Sequence, residues 1–298
     1  MSILSKANAR KLIDKYCFSK PEEVNLLNLI YAENLVLKEE ELDGCEGKII
    51  FDSNMGIVTI NKKIKEQTQK NFVLAHELGH YINEKLEATN YKLNRNRVLN
   101  LESEMEKINS PQEKNEEQAQ HTVIQSGCKV KVSGFYRCSF EDFYGNNKIL
   151  ETDANDFAAE LLMPEEWMLK AVRGKMLNGR LISDTAKYFN VSLTAAAIRY
   201  SEVGHRECAV VFSTNGTVKW SSINKEFKYQ FIRPQRKAST LSYTSDFFNG
   251  NTLPNTEEEI PAEAWFNECF NIDKRDKVFE YNVPMPRYNS VLSLIWMK

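Results

Sequence analysis

The chain has 298 residues, 42% of them hydrophobic and 27% charged, with a formal net charge of -2. That composition excludes a disordered or fibrous chain, and the length allows two or three compact units, each with its own core. The near-zero charge excludes a global field toward nucleic acid or an anionic membrane, so any such role would need a local basic face.

The opening MSILSKANARKLIDKYCF lacks the apolar run and small-residue cleavage site of a secretory signal, and the closing VLSLIWM is too short to span a bilayer. Six scattered cysteines form no CxxC pair and are expected to be reduced thiols, which places the chain in the cytoplasm. Residues 5–16 and 21–32 carry apolar side chains at helical spacing, with Pro21 just inside the second helix. GKIIFDSNMGIVTIN at 47–61 predicts two strands around the turn Asp52-Ser53-Asn54, and a helix follows at about 66–86. The strand at 56–60 is a candidate edge for aligning an extended peptide. Residues 87–149 look like an insertion. Its first part, 89–120, is polar and solvated, and β character returns from Val123 to Tyr144.

A helix over about 151–163 stops before Pro164. Residues 165–203 look helical throughout, with two short helices meeting at a tight turn. Beyond Gly204 the apolar period drops to two. CAVVFS and TVKW flank the hairpin signal Asn215-Gly216, and FKYQFI, KVFEYNV and SVLSLIWM are further strand candidates, with an acidic loop at Glu257-Glu258-Glu259.

Within the 66–86 helix stands HELGH. His76 and His80 are four apart, so their imidazoles leave one face of the helix a turn apart and can share one metal ion. Glu77, beside the first histidine, is placed to act as general base toward a water that zinc acidifies. Two of the four histidines in the chain fall in this motif. Asn83 and Leu86 stand where a three-histidine metal site would carry Gly and His, so the third ligand must come from elsewhere. Glu151-Thr152-Asp153-Ala154-Asn155 offers a glutamate with an asparagine one turn on, which assigns Glu151 as ligand and Asn155 as the partner of a ligand imidazole. Asp153, Asp156, Glu84 and Glu160 are the other carboxylates open to that role.

GIVTINKKIKEQTQKNFVLAHELGHYI, followed by ETDANDFAAELLMP, resembles the ImmA/IrrE family of bacterial and phage-type metallopeptidases. The resemblance implies that His76, His80 and Glu151 hold one Zn2+ and that Glu77 is catalytic. It also implies an α+β chain in three parts. These are a mainly helical zincin-like (gluzincin-type) peptidase domain with a small sheet at 1–164, a helix-turn-helix-like segment at 165–204, and a GAF-like α/β sensor domain at 205–298. By the same resemblance the substrate is a transcriptional repressor of the helix-turn-helix type, cleaved to lift repression in a stress, mobile-element or defence response. A nucleic-acid or small-molecule activator would act through the last two parts. The competing expectation is a sensor or anti-repressor that sequesters its partner without cutting it. Seventy residues separate His80 from Glu151, and the insertion accounts for the gap.

Other features carry weaker expectations. Residues 165–206 hold seven Lys or Arg against four Asp or Glu, a modest excess for phosphate binding and one that favours a packing or docking role. Cys128 and Cys138 could offer a thiolate to the metal as a regulatory switch, although free cysteines are more often plain core residues. His121 is expected at the surface, with a part in catalysis as the alternative, and Tyr81, Tyr136 and Tyr144 are the candidates for stabilising an oxyanion.

Overall fold

The computed structural model describes residues 3–52, 55–106, 122–125, 128–131, 134–138 and 149–297, with side chains for 3–52, 55–86 and 151–297. The chain divides into two compact units, Met1–Phe18 with Glu23–Leu161, and Ser19–Glu22 with Leu162–Lys298. Among the described residues no helix is long and apolar enough to cross a membrane.

In the first unit, α1 (Ile3–Lys15) buries Ala9, Leu12 and Ile13. The second helix is shorter than its periodicity predicts. Pro21–Glu23 is a 3-10 turn, and α2 (Leu26–Ala32) starts only after Asn25, whose side chain accepts from Asn28 N. An unanticipated strand, β1 (Leu35–Glu40), follows and pairs in parallel with β3 (Gly56–Asn61). β2 (Gly47–Phe51) and β3 form the expected antiparallel pair.

The sheet order is β1-β3-β2-β6, with β6 (Gly134–Cys138) antiparallel to β2. This corrects the edge-strand expectation for 56–60. β3 is bonded to β1 on one side and β2 on the other, so it is not an edge that a peptide could pair with. Part of the presumed insertion is therefore structural, because β6 extends the sheet. β4 (Thr122–Gln125) and β5 (Cys128–Lys131) make a separate two-stranded ribbon.

The helix carrying HELGH, α3 (Gln67–Glu106), runs well past the expected end at 86. From Val73 to Ile82 every residue is buried, so this stretch is core on all sides. α4 (Ile149–Leu162) presents Ala154, Phe157, Ala158 and Leu161, a helical stripe that is wholly buried.

In the second unit the region 165–203 is not one continuous helical stretch. α5 (Glu165–Val172) ends at a loop, and Asn178 caps α6 (Gly179–Phe189) by accepting from Leu181 N. Asn190 then takes φ 51 and closes α6, while Ser192 caps α7 (Leu193–Val203). The sheet is a five-stranded antiparallel one in the order β8-β7-β11-β10-β9, from β7 (Cys208–Thr214), β8 (Thr217–Ile223), β9 (Glu258–Pro261), β10 (Lys277–Met285) and β11 (Ser290–Met297). The Asn215-Gly216 turn has φ 50 and 75, as a tight hairpin requires.

Two strand-level expectations fail here. Glu258 and Glu259 lie in β9 rather than in an acidic loop, paired with Glu280 and Phe279 of β10. FKYQFI forms no strand. Phe227, Tyr229 and Ile232 enter the core, but Gln230 turns its amide back onto the carbonyls of Asn224 and Phe227 and holds the segment as a loop. Short helices α8 (Tyr243–Phe248) and α9 (Glu263–Phe266) complete the unit, and Trp265 is among its largest buried side chains.

Candidate active site

The site is built where α3 meets α4. Gly79 makes the meeting possible. A Cβ there would stand 3.0 Å from Phe157 Cδ1 and 3.2 Å from the Ala154 carbonyl oxygen. With the helices this close, Glu151 on the first turn of α4 faces both histidines of α3.

Glu151 Oε2 lies 3.1 Å from His76 Nε2 and 3.5 Å from His80 Nε2, and the two Nε2 atoms are 3.0 Å apart. Bonds of about 2.0–2.2 Å at tetrahedral angles put neighbouring donors roughly 3.3 Å apart, and these separations bracket that value. His76, His80 and Glu151 form the one such group of His, Cys, Asp and Glu among the described residues, so they could hold a metal ion. Asp153, Asp156, Glu84 and Glu160 contribute no donor to it. Glu160 instead accepts from Arg10 Nε at 2.7 Å, tying α1 to α4.

The tautomer is set from behind. His76 Nδ1–H donates to Asn155 Oδ1 at 2.9 Å, which leaves the Nε2 lone pair aimed at the other two donors. Three acceptors converging in a buried place repel one another unless a cation stands between them, and that is the strongest sign that the geometry suits a metal. Burial lowers the pKa of His80, His76 reinforces this and Glu151 opposes it, so the ring keeps a lone pair at neutral pH. Burial alone would raise Glu151, but the adjacent His76 and His80 imidazoles bring its carboxyl down to about 2.

Glu77 is wholly buried on the neighbouring face of α3 and lies against the backbone of β2 at Gly47. Sequence reasoning passed over Gly47. The signal was there, since glycine inside a strand marks a close approach. It also passed over the polar clasp behind the helix, where Asn8 Nδ2 donates to Asn83 Oδ1 at 3.0 Å and Asn83 Nδ2 to Ser5 Oγ at 3.2 Å.

Tyr81 is buried edge-on against Phe51 at 5.1 Å between centroids, packed as a core residue. Cys128 and Cys138 sit at the start of β5 and the end of β6, and their side chains, like that of Tyr136, lie outside the described residues. His121 and Tyr144 also lie outside them.

A family model described as Peptidase_M78, IrrE N-terminal-like domain, matches residues 35–120 and 139–201, half of the chain. The chain belongs to this family. In this IrrE-like chain both HELGH and Glu151-to-Asn155 fall inside the matched segments, whereas β4, β5 and β6 fall in the gap between them. No curated protein matches the sequence. Among solved structures, a Mycobacterium tuberculosis transcriptional regulator is similar in fold, with a TM-score of 0.52 at 12% identity over 99% of this chain and 75% of that one.

Proposed function

We propose that the chain is a zinc-dependent metalloendopeptidase that cleaves a helix-turn-helix transcriptional repressor and so relieves repression in a stress, mobile-element or defence response. The convergence of His76 Nε2, His80 Nε2 and Glu151 Oε2 on one buried point carries this reading. Those three residues would hold the ion, and Asn155 would keep the His76 ring in the required tautomer. When bound, zinc supplies Lewis-acid polarisation of the scissile carbonyl and acidifies an attacking water. The carboxylate of Glu77 would take up the proton of the attacking water and deliver it to the leaving amine. Full burial of Glu77 keeps bulk water from competing for its carboxylate.

The three-part organisation, with a peptidase domain to residue 164, a helix-turn-helix-like segment at 165–204 and a GAF-like sensor from 205, belongs to the same proposal. A cytoplasmic setting follows from a cytoplasmic substrate. Membership of a peptidase family supports the hydrolytic part, and the name of the structural neighbour, a transcriptional regulator, is in keeping with transcriptional control.

The burial of α7 supports a packing role for the helix pair over DNA reading. None of its residues is exposed, and Arg199 is turned inward onto the Met163 carbonyl and Glu202. Any small-molecule activator in this unit would find a polar cleft of about 490 Å³ lined by Arg180, Asp184, Lys187, Glu257 and Tyr281.

The test is incubation of the protein with the product of a neighbouring helix-turn-helix reading frame, with and without chelator. Cleavage that stops on chelation and returns with Zn2+ is the expected result. Tight binding without cleavage would establish the sequestering reading instead.

A further inference from the structure

We infer that Gly47 is a positioning residue for Glu77, holding the carboxylate in place by giving it the volume that any side chain at 47 would fill. The inference rests on the peptidase reading for its consequence and on geometry alone for its premise. Gly47 opens β2, is buried, and pairs with Ile60 on one side and Cys138 on the other. It is absent from the glycines with positive φ, so the backbone itself would accept alanine. The space would not. A Cβ at 47 would stand 2.7 Å from Glu77 Oε1, 3.3 Å from Glu77 Cδ and 2.6 Å from Val73 Cγ1.

Val73 and Glu77 are one helical turn apart on α3, and both are wholly buried. The β-branched Val73 has little rotamer freedom in a helix. The missing Cβ is therefore the floor on which the carboxylate rests, and β2 sets how far Glu77 stands from the points of His76 and His80. None of the three metal-facing side chains is among the nearest neighbours of that Cβ, so the effect should reach the base and spare the ligands.

Gly47→Ala is expected to keep zinc and KM and to lower kcat by about 10–100-fold, the scale of an ångström-sized misplacement of a catalytic group. Two relief variants separate positioning from packing. Val73→Ala removes the methyl clash, and Glu77→Asp draws the carboxylate back. In the Gly47→Ala background, Glu77→Asp should cost much less kcat than it does alone, whereas Val73→Ala should not restore activity.

An independent arm needs neither metal nor substrate. In the zinc-free protein the loss of Tm caused by Gly47→Ala should shrink once Glu77 is replaced by alanine, with the part due to Val73 remaining. Additive Tm losses at 47 and 77, or full recovery of kcat with Val73→Ala, would overturn the inference. If the Tm coupling holds while the unaltered protein cleaves no candidate repressor, the peptidase reading has failed and the contact has not.

Discussion

Gly79→Ala tests whether the closeness of α3 and α4 makes the metal site. The added methyl would meet Phe157 Cδ1 at 3.0 Å, Phe157 Cβ at 3.1 Å and the Ala154 carbonyl oxygen at 3.2 Å. Carbon contacts are comfortable only from about 3.5 Å, so the helices must part by several tenths of an ångström. Phe157 is wholly buried and cannot swing aside. Two effects oppose each other in the metal-free protein. Alanine gains about 1 kcal/mol of helix propensity over glycine, and overpacking costs about 1–3 kcal/mol. The net change in stability should be a loss of roughly 0–2 kcal/mol.

The metal separates the two effects. The propensity gain is the same with and without zinc and cancels from the affinity. What remains is the retreat of Glu151, carried on α4, from ring nitrogens it approaches at 3.1 and 3.5 Å. Disturbing the support of a ligand costs about 10–100-fold in affinity, and a loss of that size is expected here. Competition with a chromophoric chelator measures the affinity, and calorimetry of the zinc-free protein measures the stability. Unchanged zinc affinity with a raised Tm would mean that propensity had won and that the helix spacing does not set the site.

The other expectations can be tested on the same preparation. Glu151→Ala should abolish tight zinc binding by elemental analysis while Asp153→Ala and Asp156→Ala keep the ion, and Asn155→Ala should cost about 10–100-fold in affinity or activity. Loss of zinc in Asp153→Ala would refute the ligand assignment. Glu77→Gln should bind zinc and repressor but cleave at least about 10²-fold more slowly, since an amide cannot take the proton. Burial pushes the Glu280 carboxyl up, against hydrogen bonds from Ser242, Trp265 and the Tyr243 amide. A carboxyl raised above its unfolded value favours folding most fully below that value and loses this contribution as pH rises through the folded one. Glu280→Gln cannot ionise and should flatten that part of the pH dependence. It should also lower Tm overall, because an amide N–H would meet one of those donors. A Tm difference from the unaltered protein that does not vary with pH would show that Glu280 does not titrate differently on folding.

Local chemistry was legible from the residues alone. A four-residue spacing puts His76 and His80 on one face of a helix whatever surrounds them, and Asn215-Gly216 makes a hairpin because both positions tolerate positive φ. The Glu151-to-Asn155 spacing likewise carries its own turn of helix. Where strands lie in a sheet does not follow from spacing. β1 is too charged on its outer half to announce itself, and it exists because β3 offers it a parallel ladder. Glu258 and Glu259 looked like loop residues until β10 paired with them, and FKYQFI looked like a strand until Gln230 found nearer carbonyls. The site itself divides in the same way. The proposed donors are candidates by their spacing alone, but Gly79 and Gly47 matter only through what occupies the space where their side chains would be. That space belongs to Phe157 and Glu77, and no local pattern records it, because excluded volume between elements distant in sequence exists only once the chain has packed.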